Sequence, residues 1–141
     1  MTIRNQNAKI NRGDSVTLFV ALTQADGTPF DPTLEAVIKW RLLRNAYDME
    51  SSALVRKDLG AGITIVTAPI KGVNISLSAL DTNIFPRYYF HELKVFDGGD
   101  VTTAMSGLII LKRAVQMVKE LGVEPASRTI MLSGQVPTRT P

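Results

Sequence analysis

The sequence predicts an all-β fold, an antiparallel sandwich of about seven or eight strands with a C-terminal extension. In residues 15–23, Val16, Leu18, Val20 and Leu22 share one face and Ser15, Thr17 and Thr23 the other, and alternation this long belongs to a strand. Short β-type runs at 63–66, 73–77 and 88–96 are separated by turn chemistry at Gly60, Gly62, Gly72, Asp81-Thr82 and Pro86. Residues 88–96 and 101–111 flank Asp97-Gly98-Gly99-Asp100, the clearest hairpin in the chain.

Taken in order, residues 1–12 are polar, with Ile3 and Ile10 as apolar anchors, and read as a short first strand or an arm pairing with a neighbour. Asn11-Arg12-Gly13-Asp14 is a turn before the strand at 15–23, whose second face is made less polar by Phe19 and Ala21. Asp26-Gly27-Thr28-Pro29 turns the chain again, the glycine supplying positive φ. Ile38, Trp40 and Leu42 then face one way and Lys39 and Arg41 the other, with Trp40 the largest expected core contribution. Residues 45–52 form a polar, candidate functional loop, and residues 54–57 the next strand. Gly60-Ala61-Gly62 reads as a tight hairpin linking two strands. Residues 78–86 form a corner in which Asp81 and Thr82 cap exposed backbone amides. The expected core is Val16, Leu18, Val20, Leu22, Ile38, Trp40, Leu42, Ile75, Leu77, Tyr89, Leu93 and Val95.

The sandwich is expected over residues 1–111, and 112–141 as a C-terminal arm. Leu111, Val115, Val118 and Leu121 follow helical spacing up to Gly122, although the last strand extended through Val115 and Met117 is an alternative. Ile130, Met131 and Leu132 form an apolar knot between polar, proline-bearing segments, which needs something to bury it. These seven residues are the expected partner-binding arm. Charge agrees: residues 1–111 carry eleven basic and eleven acidic residues, so the net +3 of the chain lies in the arm. Three charges suit an acidic protein neighbour and are too few to argue for DNA.

Composition narrows the function classes. With 45% hydrophobic and 21% charged residues the chain is that of a globular protein, not a disordered one. No run of about 18 apolar residues is present to span a bilayer as a helix. The segment MTIRNQNAKINRGD has no apolar h-region, so no secretory leader is expected. The absence of cysteine removes disulfides, thiolate chemistry and common structural zinc sites, and favours assembly in a reducing cytoplasm.

His91 is the sole histidine, so one chain builds neither a Ser-His-Asp nor a Cys-His arrangement, and it reads as a packed strand residue between Tyr89 and Leu93. It does not open a zincin motif, because Val95 stands where the second histidine belongs. Gly60-Ala61-Gly62 lacks the third glycine and following helix of a dinucleotide fingerprint, and no P-loop sequence exists. The acids Asp48, Glu50, Asp58, Asp81, Asp97 and Asp100 read as solvated loop groups; the Asp97/Asp100 pair in a four-residue turn is a weak calcium site. Arg12-Gly13-Asp14 matches the tripeptide that integrins read, and equally what a glycine turn with a capping acid requires. Asn74-Ile75-Ser76 is a glycosylation sequon placed in mid-strand. No catalytic residue, cofactor or metal is expected.

Three segments together carry a resemblance. Lys57, Gly60, Gly62, Ile63 and Ile65 fit K-x-x-G-x-G-I-x-I; Gly72, Ile75, Leu77, Ser78, Asp81 and Thr82 fit a G-x-x-x-I-x-L-S-x-x-D-T type of strand and corner; Tyr88, Tyr89, Glu92, Leu93 and Val95 fit Y-Y-x-E-L-x-V in type.

 In two places the spacing departs from that pattern by one residue: Gly72 stands three positions before Ile75, not four, and Glu92 three after Tyr89, not two. With those departures, residues 12–111 resemble an immunoglobulin-like domain that recurs in tailed-bacteriophage virion proteins. The resemblance implies an immunoglobulin-like sandwich with Trp40 in the core without a disulfide, and a tyrosine-corner or core role for the aromatics Tyr88, Tyr89, Phe90 and Phe96. It implies a non-enzymatic structural subunit of the virion, made in the host cytoplasm. The best-fitting role is a multi-copy capsid decoration (cement) or head–tail accessory subunit docking through its arm. Its expected partners are capsid, portal, neck or tail proteins and further copies of itself, with no nucleic acid, membrane or small-molecule substrate. The alternative is a tail, baseplate or fibre module binding host-surface carbohydrate through residues 45–52 and exposed aromatics.

Overall fold

The computed structural model describes residues 3–30, 37–97, 100–113 and 128–137. They form an all-β domain of nine strands: β1 (Ala8–Asn11), β2 (Val16–Gln24), β3 (Val37–Leu43), β4 (Val55–Leu59), β5 (Gly62–Val66), β6 (Gly72–Leu77), β7 (Tyr88–Asp97), β8 (Asp100–Lys112) and β9 (Arg128–Val136). A short 3-10 turn, Glu50–Ser52, lies between β3 and β4. Hydrogen bonding joins all nine in the order β1-β8-β7-β3-β4-β5-β6-β2-β9, a mixed sheet that curls until it is nearly a closed barrel.

This differs from a purely antiparallel arrangement of two separate sheets. Three pairings are parallel: β1 with β8, β4 with β5, and β2 with β9. The link from β4 to β5 is a corner rather than a hairpin, for Asp58 pairs with Gly62 and Leu59 with Ile63 in the same direction. Such a corner needs backbone that most residues avoid. Gly60 and Gly62 have φ of +86° and +102°, and a Cβ on Gly62 would sit 2.4 Å from Lys57 Cδ. Only two residue pairs join the halves here, so the sheet is thinnest at this corner.

The opposite side holds the seam between β1 and β9. Ser133 N–H donates to Gln6 Oε1 at 2.8 Å, and the Arg128 guanidinium donates to the Lys9 carbonyl. Two side chains therefore bridge edges that no backbone ladder joins. Residues 130–132 belong to this seam strand, not to a separate arm: Ile130 pairs with Leu18, Met131 with Phe19 and Leu132 with Val20. Strand β8 runs one residue past 111, through Lys112, and Leu111 is buried. Val115, Val118 and Leu121 lie outside the described residues.

All twelve residues expected in the core are buried, and Ile10, Ile63, Val73, Met105, Ile109, Leu132 and Val136 pack with them. Trp40 is completely enclosed. Strand β3 departs from simple alternation, since Arg41, expected on the solvent side with Lys39, is buried with Leu42 and Leu43. Its guanidinium donates to the carbonyls of Trp40 and Lys57 and to Asp58 Oδ1, tying β3 to β4. Burying a cation is tolerated because these acceptors replace its water.

Candidate interaction surface

The groups with the most chemical potential are committed to holding the barrel together. Trp40 Nε1–H donates to His91 Nδ1 at 3.0 Å, and His91 Nε2 lies 2.6 Å from the Gln6 carbonyl. An indole nitrogen only donates, so Nδ1 must accept and the imidazole proton resides on Nε2, where it serves Gln6. Burial pushes the His91 pKa down to about 4, against the opposing bond to Gln6. His91 is thus a neutral, enclosed bridge from β3 through β7 to the N-terminal segment.

Gly107 opens that bridge. It pairs with His91, and a Cβ there would lie 2.3 Å from the Gln6 carbonyl oxygen, so the segment before β1 crosses where β8 has no side chain. Through its own side chain Gln6 then reaches Ser133 on β9. Gln6 carried no signal in the sequence. An isolated glycine in an otherwise regular strand, Gly107, is the mark of close backbone approach that was there to be read.

The carboxylates are dispersed. Asp58 pairs with Arg41 at 2.9 Å, and Asp81 with Lys57 at 2.8 Å. Burial alone would raise the Asp81 pKa, but the Lys57 ammonium and the Ser78 amide and hydroxyl outweigh it and hold the carboxyl below its ordinary value. Asp81 Oδ2 accepts from Ser78 N–H while Asp81 N–H donates to Ser78 Oγ, a reciprocal lock that shapes the corner before β7. Thr82 was expected to cap amides. Its hydroxyl instead donates to the Asp14 and Ala79 carbonyls, fastening that corner to the β1–β2 turn. Asp48 caps Asn45 N–H within the 44–54 loop. Among the described residues no three His, Cys, Asp or Glu side chains gather as metal ligands.

Among the described residues, the gap beside Trp40, Tyr89 and Ile84 is about 10 Å³, room for one water at most. Binding capacity lies at the two ends of the barrel. The pairs Leu43–Phe90, Leu77–Val16 and Asn11–Lys112 bring residues 12–15, 44–54 and 78–87 to one end. There Tyr47 is 99% exposed, Phe85 74% and Tyr88 63%, with Met49 and Leu80 also exposed. Burial lifts the Tyr89 phenol above its usual pKa, opposed by the nearby cations Arg87, Arg44 and Arg12. The phenol donates to the Phe85 carbonyl, and the Arg87 guanidinium lies over its ring, 5.6 Å from the centroid.

At the far end, the pairs Ala21–Gly72 and Thr23–Pro29 set the 67–71 turn beside the 25–29 turn. A groove of about 270 Å³ opens between them, lined by Ala21, Leu22, Pro29, Pro69, Ile70 and Lys71. Asp26 faces water here, its carboxyl held below the ordinary value by bonds from the Thr28 hydroxyl and amide. Of the described residues of the expected arm, Leu111 and Leu132 are buried, Ile130 is half-buried and Met131 is exposed.

No family model matches this chain, and no curated protein matches it.

Proposed function

We propose that this protein is a non-enzymatic structural subunit of a tailed-bacteriophage virion, present in many copies. The observation that carries the reading is the Tyr89 corner. Its phenol bonds to the Phe85 carbonyl, and His91, two residues on, packs edge-on against Trp40 at 5.9 Å between ring centroids. In immunoglobulin-like domains a tyrosine makes this bond, and a cysteine two residues later packs against the core tryptophan. Here a histidine takes that place and hydrogen-bonds the indole. The finer fold we propose is accordingly immunoglobulin-like, with β5-β6-β2 facing β3-β7-β8 and with β1 and β9 added at the seam.

A building-block role suits a molecule whose histidine, buried arginine and paired aspartates serve its own scaffold while large apolar side chains stand exposed at one end. Mass spectrometry of particles purified from cells that encode the chain tests this. The expected result is the chain at a copy number matching a repeated capsid or head–tail position; its absence from particles overturns the proposal.

A second reading, a carbohydrate-binding module of a tail, baseplate or fibre, is favoured by the exposure of Tyr47, Phe85 and Tyr88 together. Host polysaccharide bound by the wild type and lost in Tyr47→Ala would select it.

A further inference from the structure

The end of the barrel formed by residues 12–15, 44–54 and 78–87 gathers two kinds of side chain. Among the described residues, Tyr47, Met49, Leu54, Leu80, Phe85 and Tyr88 are the large apolar side chains exposed there, against Val37, Ile70, Val101 and Met131 elsewhere on the surface. Single exposed apolar side chains mean little, but such a gathering marks a contact surface. Arginine is the second kind. The Arg87 carbonyl accepts from Leu111 N–H and the Lys112 carbonyl from Arg12 N–H, so the end of β8 holds Arg87 and Arg12 on either side. Arg12 Nε–H also donates to Asn83 Oδ1 at 3.1 Å. Arg44 follows Leu43, the partner of Phe90, and its charge acts on the Tyr89 phenol together with those of Arg87 and Arg12. Arg56, Lys112 and Arg113 stand exposed around these three. The acids of the same segments with described side chains are Asp14, Asp48 and Asp81; Asp81 is paired with Lys57, and Asp48 accepts from Asn45 N–H. The side chain of Glu50 and residues 114–127, which join β8 to β9 at this end, lie outside the described residues. By sequence they add Glu50, Glu120 and Glu124 against Lys119, which leaves cations in excess.

We propose that this end is a docking surface for an acidic protein segment that also carries apolar side chains, supplied by a neighbouring subunit. The planar guanidinium forks of Arg12, Arg44 and Arg87 suit carboxylates, which they take two oxygens at a time. Exposed aromatics with methionine and arginine are the composition that protein interfaces enrich. The aliphatic Met49, Leu54 and Leu80 decide between a polypeptide and a polysaccharide. Apolar side chains of a partner gain by covering them, whereas sugar hydroxyls pressed against them would lose water without replacing its bonds. Two copies of this chain meeting through the same end would set cations against cations, so the partner is not its own mirror contact. The inference rests on the building-block reading above and names the surface that docks and the chemistry it docks on.

Fluorescence anisotropy with the full chain and three labelled polymers tests it: a random glutamate–tyrosine copolymer, poly-glutamate of the same length, and alginate, a polyuronate. The copolymer, although it carries fewer charges, is expected to bind about tenfold more tightly than either of the others. Its binding should weaken as salt rises, because exposed charges are screened. Arg12→Glu/Arg44→Glu/Arg87→Glu should abolish binding, and Arg44→Glu alone should weaken it with wild-type circular dichroism. Tyr47→Ser/Phe85→Ser should bring the copolymer down to the affinity of poly-glutamate. A copolymer that does not bind overturns the proposal, as does binding that survives Arg44→Glu in folded protein. Alginate bound as tightly as the copolymer overturns it in favour of a polysaccharide. Binding that appears only in Val115→Ser/Val118→Ser/Leu121→Ser overturns it by assigning the surface to the chain's own 114–127 connection. Protein that binds the copolymer but is missing from particles would sink the virion reading alone; protein found in particles that binds no copolymer would sink this inference alone.

Discussion

The centre of the barrel and its seam are held by different means. At the centre, β3, β7 and β8 pair antiparallel over long registers, and Ile38, Trp40, Leu93, Val95 and Met105 are enclosed completely. At the seam, β1 and β9 are parallel edge strands whose mutual contact depends on the Gln6 and Arg128 side chains. The centre draws on buried apolar area, and the seam on a few directed polar bonds. Damage at the centre should therefore unfold the protein, and damage at the seam should open it locally.

Trp40→Ala should produce the largest effect. Truncating a large core aromatic costs about 3–5 kcal/mol, and here it also leaves the buried His91 Nδ1 without its donor. Chemical denaturation is expected to show loss of most of the stability. Leu132→Ala comes next, at about 2–4 kcal/mol, because this residue is buried in β9; an arm lying free of the barrel would lose almost nothing. Replacing Ile130, Met131 and Leu132 together by serine should for the same reason damage the fold, and Met131→Ser alone should change stability by less than about 0.5 kcal/mol.

Acid probes the bridge between the two regions. The folded-state pKa of His91, about 4, lies below its ordinary 6.5, so the unfolded chain takes up the proton first as pH falls. The stabilisation is complete above pH 6.5 and declines between 6.5 and 4. The loss is on the order of 3–4 kcal/mol, at about 1.4 kcal/mol per pKa unit. Asp81, whose pKa is lowered from 3.8, adds its own loss only at more acid pH. Denaturation midpoints measured across pH 7 to 4 should fall, and a flat profile would contradict the neutral His91 bridge.

Two glycines sharpen the contrast. A Cβ at Gly107 meets the Gln6 backbone at 2.3 Å, whereas one at Gly134 meets the Leu22 side chain at 3.0 Å. Gly107→Ala should displace the N-terminal segment at a cost of about 1–3 kcal/mol, and Gly134→Ala should cost distinctly less in the same denaturation assay. Gln6→Ala should cost about 1 kcal/mol for one lost side-chain bond, read most clearly as faster exchange of the Ser133 amide.

How much was legible follows the same division. Strands β2 to β8 announce themselves because each buries one face and punctuates its ends with glycine, proline or aspartate, as in Val16–Gln24 before Asp26-Gly27. Strand β9 does not, because its inward positions are Leu132, Gly134 and Val136, and a glycine at the middle one erases the alternation. The apolar knot at 130–132 signalled that something must bury it; it pairs edge to edge with β2 of the same chain, which puts Leu132 in the core and leaves Met131 exposed. The parallel β4–β5 corner was hidden because Gly60 and Gly62 serve a hairpin equally well. Arg41 looked solvent-facing because its acceptors, the Lys57 carbonyl and Asp58, lie on another strand. Of the candidate surface, the 45–52 loop and its tyrosine were visible in sequence. The gathering of Arg12, Arg44 and Arg87 beside Tyr89 was not, since it depends on which strand ends meet.

Native-state hydrogen exchange resolved to single amides tests the central claim, that β9 closes the chain's own barrel, most directly. The account predicts that amides of β3 and β7 exchange only through global unfolding, and that β9 amides are protected but released by a smaller opening, which Gln6→Ala makes easier. Amides of residues 128–136 exchanging at the rate of an unfolded peptide would contradict it.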